Sequence, residues 1–189
     1  DLVVAALLLV VTSPVILFAA AAVKLTSPGP AFFRQVRVGR HGRPFTMIKL
    51  RTMIDNAERD TGPVIATEND PRITPVGRIL RKFRIDELPQ LWNVLRGEMS
   101  IVGPRPERPG FVEQFNKEIP HYRYRLLVKP GLTGLAQVFG KYETDPEDKL
   151  KYDLYYIRNY SVMLDLQIML RTVQVMLTPS AAAGVRRRT

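Results

Sequence analysis

The stretch that says most about the fold covers residues 81–92 and reads Arg81-Lys82-Phe83-Arg84-Ile85-Asp86-Glu87-Leu88-Pro89-Gln90-Leu91-Trp92. From Leu88 onward, apolar residues recur at i, i+3, i+4 and i+7, ending with Leu95, which predicts an amphipathic helix over residues 87–96. Pro89 suits the first turn of such a helix, and Gly97 suits the position after its last turn. Asp86 is then the predicted N-cap, and the acidic pair Asp86 and Glu87 lies at the positive end of the helix dipole.

The acidic pair has two interpretations. Bases flank it, and a further arginine lies between two prolines in Gly103-Pro104-Arg105-Pro106. Arginine binds phosphate oxygens through two hydrogen bonds, and a carboxylate can act as a nucleophile or a metal ligand. The functional interpretation is a reaction on an anionic, phosphorylated substrate at a membrane surface. The alternative is a capped helix on a basic, solvent-exposed face, and these residues alone do not decide between the two.

Composition limits the kind of metal site. The chain has 189 residues, enough for one domain with its own core, and it contains no cysteine and two histidines. Disulfides and thiolate zinc sites are therefore excluded, and a histidine-rich site is not expected. A divalent metal would be held by oxygen ligands, which favours Mg²⁺ or manganese over zinc.

The N-terminal part predicts a membrane protein. Residues 2–23 are uncharged and long enough to cross a bilayer core of about 30 Å. Residues 24–54 carry basic side chains and no Asp or Glu, which places the rest of the chain on the cytoplasmic side. No helix-turn-helix, zinc-finger or aromatic RNA-binding signature accompanies the formal charge of +10, so membrane lipids are the expected partner and nucleic acid is not. The chain starts at Asp1 without an initiator Met, so we expect further protein upstream.

The apolar segment is interrupted by Thr12-Ser13-Pro14. Proline removes one helical hydrogen bond, and the two hydroxyls can satisfy the freed carbonyls. The segment can therefore span the membrane with a kink, or turn back as a re-entrant helix. The residues themselves favour the kinked span.

The remaining sequence predicts an α+β fold. Two short β-like runs at residues 31–36 and 45–50 read as a hairpin. The last helix can lie on the membrane or pack on the core, and the core is favoured because polar residues interrupt its apolar face. The other expected elements are helices at 53–59, 75–83, 110–118, 145–158 and 161–178, a strand or extended loop at 132–139, and a disordered basic tail at 179–189.

Taken together, the motifs resemble those of the bacterial sugar transferases, also called monotopic phosphoglycosyl transferases. Any one motif is a weak signal, but they occur in the family's order along nearly the whole chain. The matching pieces are Asp1 before the apolar helix, Ser13-Pro14 within it, Ser27-Pro28-Gly29-Pro30, Lys49-Leu50-Arg51-Thr52-Met53, Asp86-Glu87-Leu88-Pro89-Gln90-Leu91, Gly103-Pro104-Arg105-Pro106 and Lys129-Pro130-Gly131-Leu132-Thr133-Gly134.

The resemblance implies a reaction and its partners. Such an enzyme transfers a sugar-1-phosphate from a nucleotide sugar, usually a UDP-sugar, to a polyprenyl phosphate such as undecaprenyl phosphate, and releases UMP. The reaction initiates exopolysaccharide or related glycan synthesis on the cytoplasmic face of the bacterial inner membrane. Whether the protein forms a homo-oligomer is left open.

The resemblance also implies roles for individual residues. Asp86 matches the family's nucleophile, which forms an aspartyl-phosphosugar, and Glu87 matches its partner, with Mg²⁺ held by both carboxylates. Arg81 and Arg105 match positions that bind phosphate. Either Lys49 or Arg51 matches another such position, and the sequence does not say which.

For the architecture, the resemblance reverses the preference for a kinked span. It implies a re-entrant membrane helix at residues 1–23 broken at Ser13-Pro14, then a cytoplasmic catalytic domain at 24–178 with a small hairpin and several amphipathic helices lying at the membrane surface. Larger family members carry further transmembrane helices and another domain upstream.

Two other functions remain open from the sequence. A non-catalytic basic membrane scaffold would explain the apolar helix and the charge, but it gives no role to the acidic pair beside Arg81. A lipid diphosphate hydrolase would use similar residues and differ by delivering water to the intermediate.

Overall fold

The fold combines helices with small β-sheets, which agrees with the α+β class expected from the sequence. The computed structural model describes residues 1–59, 62, 70–140 and 145–177, so the tail at 179–189 lies outside the described residues. In chain order the described elements are α1 (Leu2–Thr26), β1 (Phe32–Val38), a 3₁₀ helix (Arg40–Gly42), β2 (Pro44–Leu50), α2 (Pro75–Lys82), a 3₁₀ helix (Ile85–Gln90), α3 (Leu91–Leu95), β3 (Ser100–Val102), α4 (Pro109–Glu118), a 3₁₀ helix (Tyr122–Leu127), β4 (Gly131–Thr133), α5 (Leu135–Phe139), α6 (Pro146–Arg158) and α7 (Val162–Leu177).

The first strand pair is the hairpin that the sequence predicted. β1 and β2 are antiparallel, with Phe33 opposite Lys49. An unpaired strand edge needs partners for its N–H and C=O groups. The buried side chain of Asn93 supplies them to β2, since it accepts from Ile48 N at 3.2 Å and donates to Thr46 O at 2.8 Å. This contact ties α3 to the hairpin.

The second strand pair joins two motifs singled out in the sequence. β3 and β4 are parallel, with Ser100 opposite Gly131. A Cβ atom added to Gly131 would lie 2.1 Å from Gly103 N, so only glycine allows this approach. The Gly103-Pro104-Arg105-Pro106 turn therefore packs backbone to backbone against the segment that follows Lys129-Pro130.

Several helix ends follow directly from local sequence signals. Thr74 Oγ1 accepts from Gly77 N at 2.9 Å at the start of α2, and Ser161 Oγ accepts from Leu164 N at 3.2 Å at the start of α7. Gly97, with a φ of +75°, follows α3 as the predicted stop.

One face of α1 is part of the protein's core. Its buried residues Ala5, Ile16, Ala19 and Val23 recur at helical spacing and lie on one side. Ala5 belongs to the central apolar cluster, with residues of β2, α3, β3, α5, α6 and α7, whereas Ala19 and Val23 form a second cluster with residues of β2 and α2. The outer side exposes large apolar residues, namely Leu2, Val3, Val4, Leu7, Leu8, Val10, Val11, Val15, Leu17 and Phe18.

The N-terminal end of α1 is also tied down by hydrogen bonds. The Asp1 carboxylate accepts from Ile101 N at 3.1 Å and from Ser100 Oγ at 2.8 Å. Both ends of the helix therefore contact the same folded unit.

α1 continues as one helix of 25 residues through Ser13 and Pro14, long and apolar enough to cross a membrane. Because Pro14 has no N–H, the carbonyl of Val10 loses its helical partner. Ser13 Oγ donates to that carbonyl at 2.8 Å, and Thr12 Oγ1 donates to Leu8 O at 2.7 Å. The Ser13 hydroxyl thus satisfies the carbonyl that the proline frees, as expected from the sequence, whereas the Thr12 hydroxyl bonds a carbonyl that the proline does not free.

α7 packs on the core, which confirms the favoured interpretation. Ile168 is fully buried in the central cluster. The other side of α7 exposes apolar side chains, among them Val162, Met163, Leu166, Leu170 and Val173.

One local prediction was wrong, and another was right only at its start. Residues 53–59 form turns rather than a helix, because Met53 pairs with Ile73 in an isolated bridge and Asn56 has a φ of 57°. The predicted strand or loop at 132–139 is the strand β4 followed by the short helix α5.

Candidate active site

The acidic pair lies in a 3₁₀ helix, so the prediction of an α-helix over residues 87–96 capped by Asp86 is wrong at its start. The 3₁₀ helix Ile85–Gln90 precedes α3, and its N-cap position is taken by Arg84, whose φ of 56° and ψ of 19° are left-handed. This left-handed residue reverses the chain almost directly after α2, and Pro89 cannot donate a helical hydrogen bond. Both acidic residues lie in the first turn of this 3₁₀ helix.

Glu87 is the centre of a basic cluster. Its Oε1 atom lies 2.9 Å from Lys49 Nζ and 2.8 Å from Arg105 Nη2, and its Oε2 atom lies 3.7 Å from Arg84 Nη1. Burial alone would raise the pKa of Glu87, but Arg105, Lys49 and Arg84 outweigh it and hold that pKa well below its ordinary range. Glu87 is therefore ionised, and it contacts cationic side chains from β2, from the proline-rich turn and from the N-cap of its own 3₁₀ helix.

Lys49 and Arg51, between which the sequence could not choose, lie in different surroundings in the structure. Lys49 points into the cluster, where burial lowers its pKa and Glu87 offsets part of that effect. Arg51 is buried elsewhere and donates to the carbonyls of Ser27, Pro28 and Pro30 at 3.1, 2.6 and 2.6 Å. Its Nε, Nη1 and Nη2 atoms all hold the turn after α1, so Arg51 has a structural place outside the cluster.

Asp86 differs from its neighbour in having an unbonded oxygen. It is buried, and its Oδ1 atom has no hydrogen-bond partner among the described residues. Burial first, and the charge of Glu87 second, raise the pKa of Asp86 to about 6, although Lys49, Arg81 and Arg84 oppose this shift. Above pH 6 the site therefore holds a poorly solvated carboxylate, the form that a nucleophile requires.

The other predicted phosphate-binding residues lie near the acidic pair, Arg81 close to Asp86 and Arg105 in contact with Glu87. Arg81, in the last turn of α2, is near enough for its charge to lower the pKa of Asp86. Arg105 is 39% exposed and extends from its turn to Glu87. Arg84 also belongs to the cluster and was not among the predicted site residues, although its i,i+3 spacing from Glu87 was a usable signal.

The arrangement suits an anion with several charges. Lys49, Arg81, Arg84 and Arg105 outnumber the two carboxylates, and arginine matches the geometry of phosphate oxygens. Within the part of the chain that the structure describes, no group of three or more His, Cys, Asp or Glu side chains converges on a metal position. The carboxylates of Asp86 and Glu87 nevertheless supply the oxygen donors that Mg²⁺ prefers, and substrate phosphates commonly complete its coordination.

Comparison with known proteins gives consistent matches. The profile of a family described as bacterial sugar transferase matches residues 1–179. A UDP-N-acetylgalactosamine-undecaprenyl-phosphate N-acetylgalactosaminephosphotransferase of Aeromonas hydrophila is 46% identical over 181 residues, covering 94% of this chain and 43% of the relative. Two UDP-glucose:undecaprenyl-phosphate glucose-1-phosphate transferases are also similar. The one from Klebsiella pneumoniae is 48% identical, covering 92% of this chain and 38% of the relative, and the one from Caulobacter vibrioides is 49% identical, covering 96% and 70%.

The matches differ in how much of the relative they include. This chain spans 43% and 38% of the length of the Aeromonas and Klebsiella proteins, against 70% of the Caulobacter protein. What these proteins share with the chain is the segment that carries the apolar helix and the acidic pair.

Proposed function

The chain belongs to the bacterial sugar transferase family, and from this premise we propose that it transfers a sugar-1-phosphate from a UDP-sugar to undecaprenyl phosphate or a similar polyprenyl phosphate. The product would initiate assembly of an exopolysaccharide or related glycan. Support comes from the relatives named as undecaprenyl-phosphate sugar phosphotransferases. The observation that carries the proposal is the buried oxygen of Asp86 that has no hydrogen-bond partner among the described residues and lies beside a cluster of cations.

In the first step, Asp86 Oδ1 attacks the phosphorus atom that bears the sugar. The bond from that phosphorus to the bridging diphosphate oxygen breaks, its electron pair leaves with UMP, and an aspartyl-phosphosugar remains. In the second step, a phosphate oxygen of the polyprenyl phosphate attacks the same phosphorus, and the Asp86 carboxylate leaves. Each step is a phosphoryl transfer in which position and charge neutralisation lower the barrier.

The surrounding residues have separate tasks in this scheme. Lys49, Arg81 and Arg105 bind the diphosphate oxygens, and Glu87 holds Lys49 and Arg105 in place. Asp86 and Glu87 would hold Mg²⁺, which when bound supplies further neutralisation of the diphosphate charge.

For the membrane, we propose that α1 enters one leaflet only, with Asp1 and Lys24 on the cytoplasmic side. Asp1 contacts β3, and Val23 contacts residues of β2 and α2, so a spanning α1 would have to leave the domain at one end. The continuous exposed apolar side of α1 provides the surface for lipid, and the exposed side of α7 would rest at the interface. This arrangement brings Asp86 to the level of the acceptor's phosphate.

The experiment that tests the activity uses Asp86→Asn. This variant keeps the shape of the side chain but has no anionic oxygen, so turnover should fall to background. Intact-mass measurement after mixing with UDP-sugars and Mg²⁺ should find a phosphosugar adduct on the unmodified protein and none on the variant.

The matched control is Asp55→Asn, which alters an exposed carboxylate and should leave turnover unchanged. Omitting the polyprenyl phosphate separates transfer from hydrolysis. A transferase stops after about one UMP per enzyme, whereas continued release of free sugar phosphate would favour a hydrolase. Normal turnover of Asp86→Asn would refute the proposed mechanism.

A further inference from the structure

A buried ion pair connects the 3₁₀ helix Tyr122–Leu127 to α6. Arg125 Nε and Nη2 lie 3.0 and 2.9 Å from Asp153 Oδ2, and both side chains are almost fully buried. Arg125 Nη1 donates to Tyr122 OH at 2.6 Å, and Nη2 also donates to the backbone carbonyl of Arg105 at 2.8 Å. All three guanidinium nitrogens are thus engaged inside the protein, and Arg125 is not available to bind substrate.

The turn that carries Arg105 is held by its carbonyl groups. Residues 104–107 each have a carbonyl that accepts a hydrogen bond from a different part of the fold. The donors are Gly131 N to Pro104 O at 2.9 Å, Arg125 Nη2 to Arg105 O at 2.8 Å, Arg37 Nη1 to Pro106 O at 3.1 Å and Val38 N to Glu107 O at 2.9 Å.

The prolines explain why this turn depends on outside donors. Pro104 and Pro106 lack N–H groups, so they cannot support the turn by donating hydrogen bonds of their own. At Arg105 the donor is Arg125, whose position is set by Asp153. The Arg105 guanidinium extends from this fixed point to Glu87, 2.8 Å away.

We propose that Arg125 and Asp153 form a positioning pair that directs Arg105 toward the substrate diphosphate. The inference rests on the proposed function, and it adds two residues that lie outside the cluster around Glu87. A buried ion pair does little for stability compared with well-packed apolar residues, so stability alone gives a weak reason for it. A specific reason is that the pair holds a phosphate-binding arginine within a fraction of an ångström of its working position.

The test removes both charges together with Arg125→Met and Asp153→Leu, since removing one partner alone would leave a buried, unpaired charge. Affinity for inorganic pyrophosphate is measured by calorimetry in lipid nanodiscs. Arg105→Ala should weaken binding about tenfold, the effect of losing a hydrogen bond to a charged group. The neutral pair variant should weaken it by a similar factor.

The decisive comparison is the triple variant. If the pair acts through Arg105, combining it with Arg105→Ala should weaken binding no further than Arg105→Ala alone. With UDP-sugar and polyprenyl phosphate, the pair variant should lose on the order of a hundredfold in kcat, the scale expected for a misplacement of about 1 Å. Unchanged affinity in the pair variant, or losses that multiply fully in the triple variant, would overturn the inference.

Controls separate positioning from folding and from the proposed function. Neutralising the exposed pair with Lys117→Gln and Glu113→Gln should change neither affinity nor kcat. If the apolar pair variant does not fold, Arg125→Lys replaces it. This variant keeps the positive charge opposite Asp153, but its single ammonium group cannot also donate to Arg105 O. The comparison of Arg125→Lys, Arg105→Ala and their combination is then made in the same way. The pair variant and Arg105→Ala could show non-additive effects on pyrophosphate affinity while the protein releases no UMP from any nucleotide sugar. That result would support the positioning pair and reject the transferase.

Discussion

At the scale of single residues, two adjacent carboxylates have different environments. Glu87 is paired with cations, whereas Asp86 keeps an unbonded oxygen. The sequence supplied the acidic pair and its basic neighbours, but it could not choose between Lys49 and Arg51. Strand alternation would place both on one face. Because β2 ends at Leu50, Arg51 turns away toward the segment after α1, and this end depends on contacts remote in sequence.

A pH-dependent stability should follow from Asp86. Its pKa in the folded protein, about 6, lies above the ordinary value of 3.8, so the folded state binds the extra proton between these values. The ionised carboxylate therefore costs stability as the pH rises through this window. We expect Asp86→Asn to melt at a higher temperature than the unmodified protein at pH 8, with the difference shrinking toward pH 4.

Calorimetric melting in detergent over pH 4–8 measures this effect, with Asp55→Asn as the exposed control. If the difference in melting temperature between Asp86→Asn and the unmodified protein stays constant with pH, burial does not raise the pKa of the Asp86 carboxylate.

At the scale of elements, local signals predicted those parts of the fold that local forces determine. The hairpin, α2, α6 and α7 all followed from periodicity, caps and turn residues. The failures at residues 53–59 and at Asp86 have different origins. Met53 pairs with Ile73 far along the chain, so a tertiary contact overrides helical spacing there. At Asp86 the cause is local, because the left-handed Arg84 follows α2 closely and starts a 3₁₀ helix that contains Pro89.

The membrane insertion of α1 can be tested because the chain has no cysteine. Leu2→Cys and Leu25→Cys place single thiols at exposed positions near its two ends. In sealed inverted vesicles, a membrane-impermeant reagent should label both, since in the proposed arrangement both ends of α1 lie on the cytoplasmic side. Labelling of Leu25→Cys alone would mean that α1 spans the bilayer.

A matched variant shows whether the proline motif matters. Replacing Ser13 with Ala and Pro14 with Leu gives an uninterrupted apolar helix that no longer needs the Ser13 hydroxyl at Val10 O. We expect this change to favour a span, so that the thiol at position 2 loses labelling from the cytoplasmic side. Equal labelling in both backgrounds would assign the topology to the packing of α1 rather than to Ser13-Pro14.

At the scale of the whole molecule, the apolar helix belongs to two environments. Ala5 and Val23 are 0% and 1% exposed within the domain, whereas the other side of the helix is covered by nothing in the described residues. Hydropathy predicted an apolar helix, and its outer side is exposed in the structure. Hydropathy could not predict which side of the helix packs on the domain, because residues that face lipid and residues that face a protein core are equally apolar.

Removing residues 1–25 should therefore unfold the catalytic domain rather than release it. Full burial of a side chain such as Val23 or Ile16 contributes roughly 1.5–3 kcal/mol, and a domain is stable by about 5–15 kcal/mol in total. We expect the truncated chain to aggregate or to bind a hydrophobic dye without near-ultraviolet circular dichroism. A soluble monomer with a cooperative melting transition would contradict this expectation.

The shared helix also sets how such a protein can be regulated. Enzymes that are recruited to membranes keep a dissolved reserve, and a signal moves molecules between the two pools. With α1 inserted as proposed, lipid is what covers its exposed apolar side, because its other side packs in the interior of the domain. A folded pool in the cytosol would then not be expected, and control over the protein's output would fall to its synthesis, its degradation and the supply of its substrates.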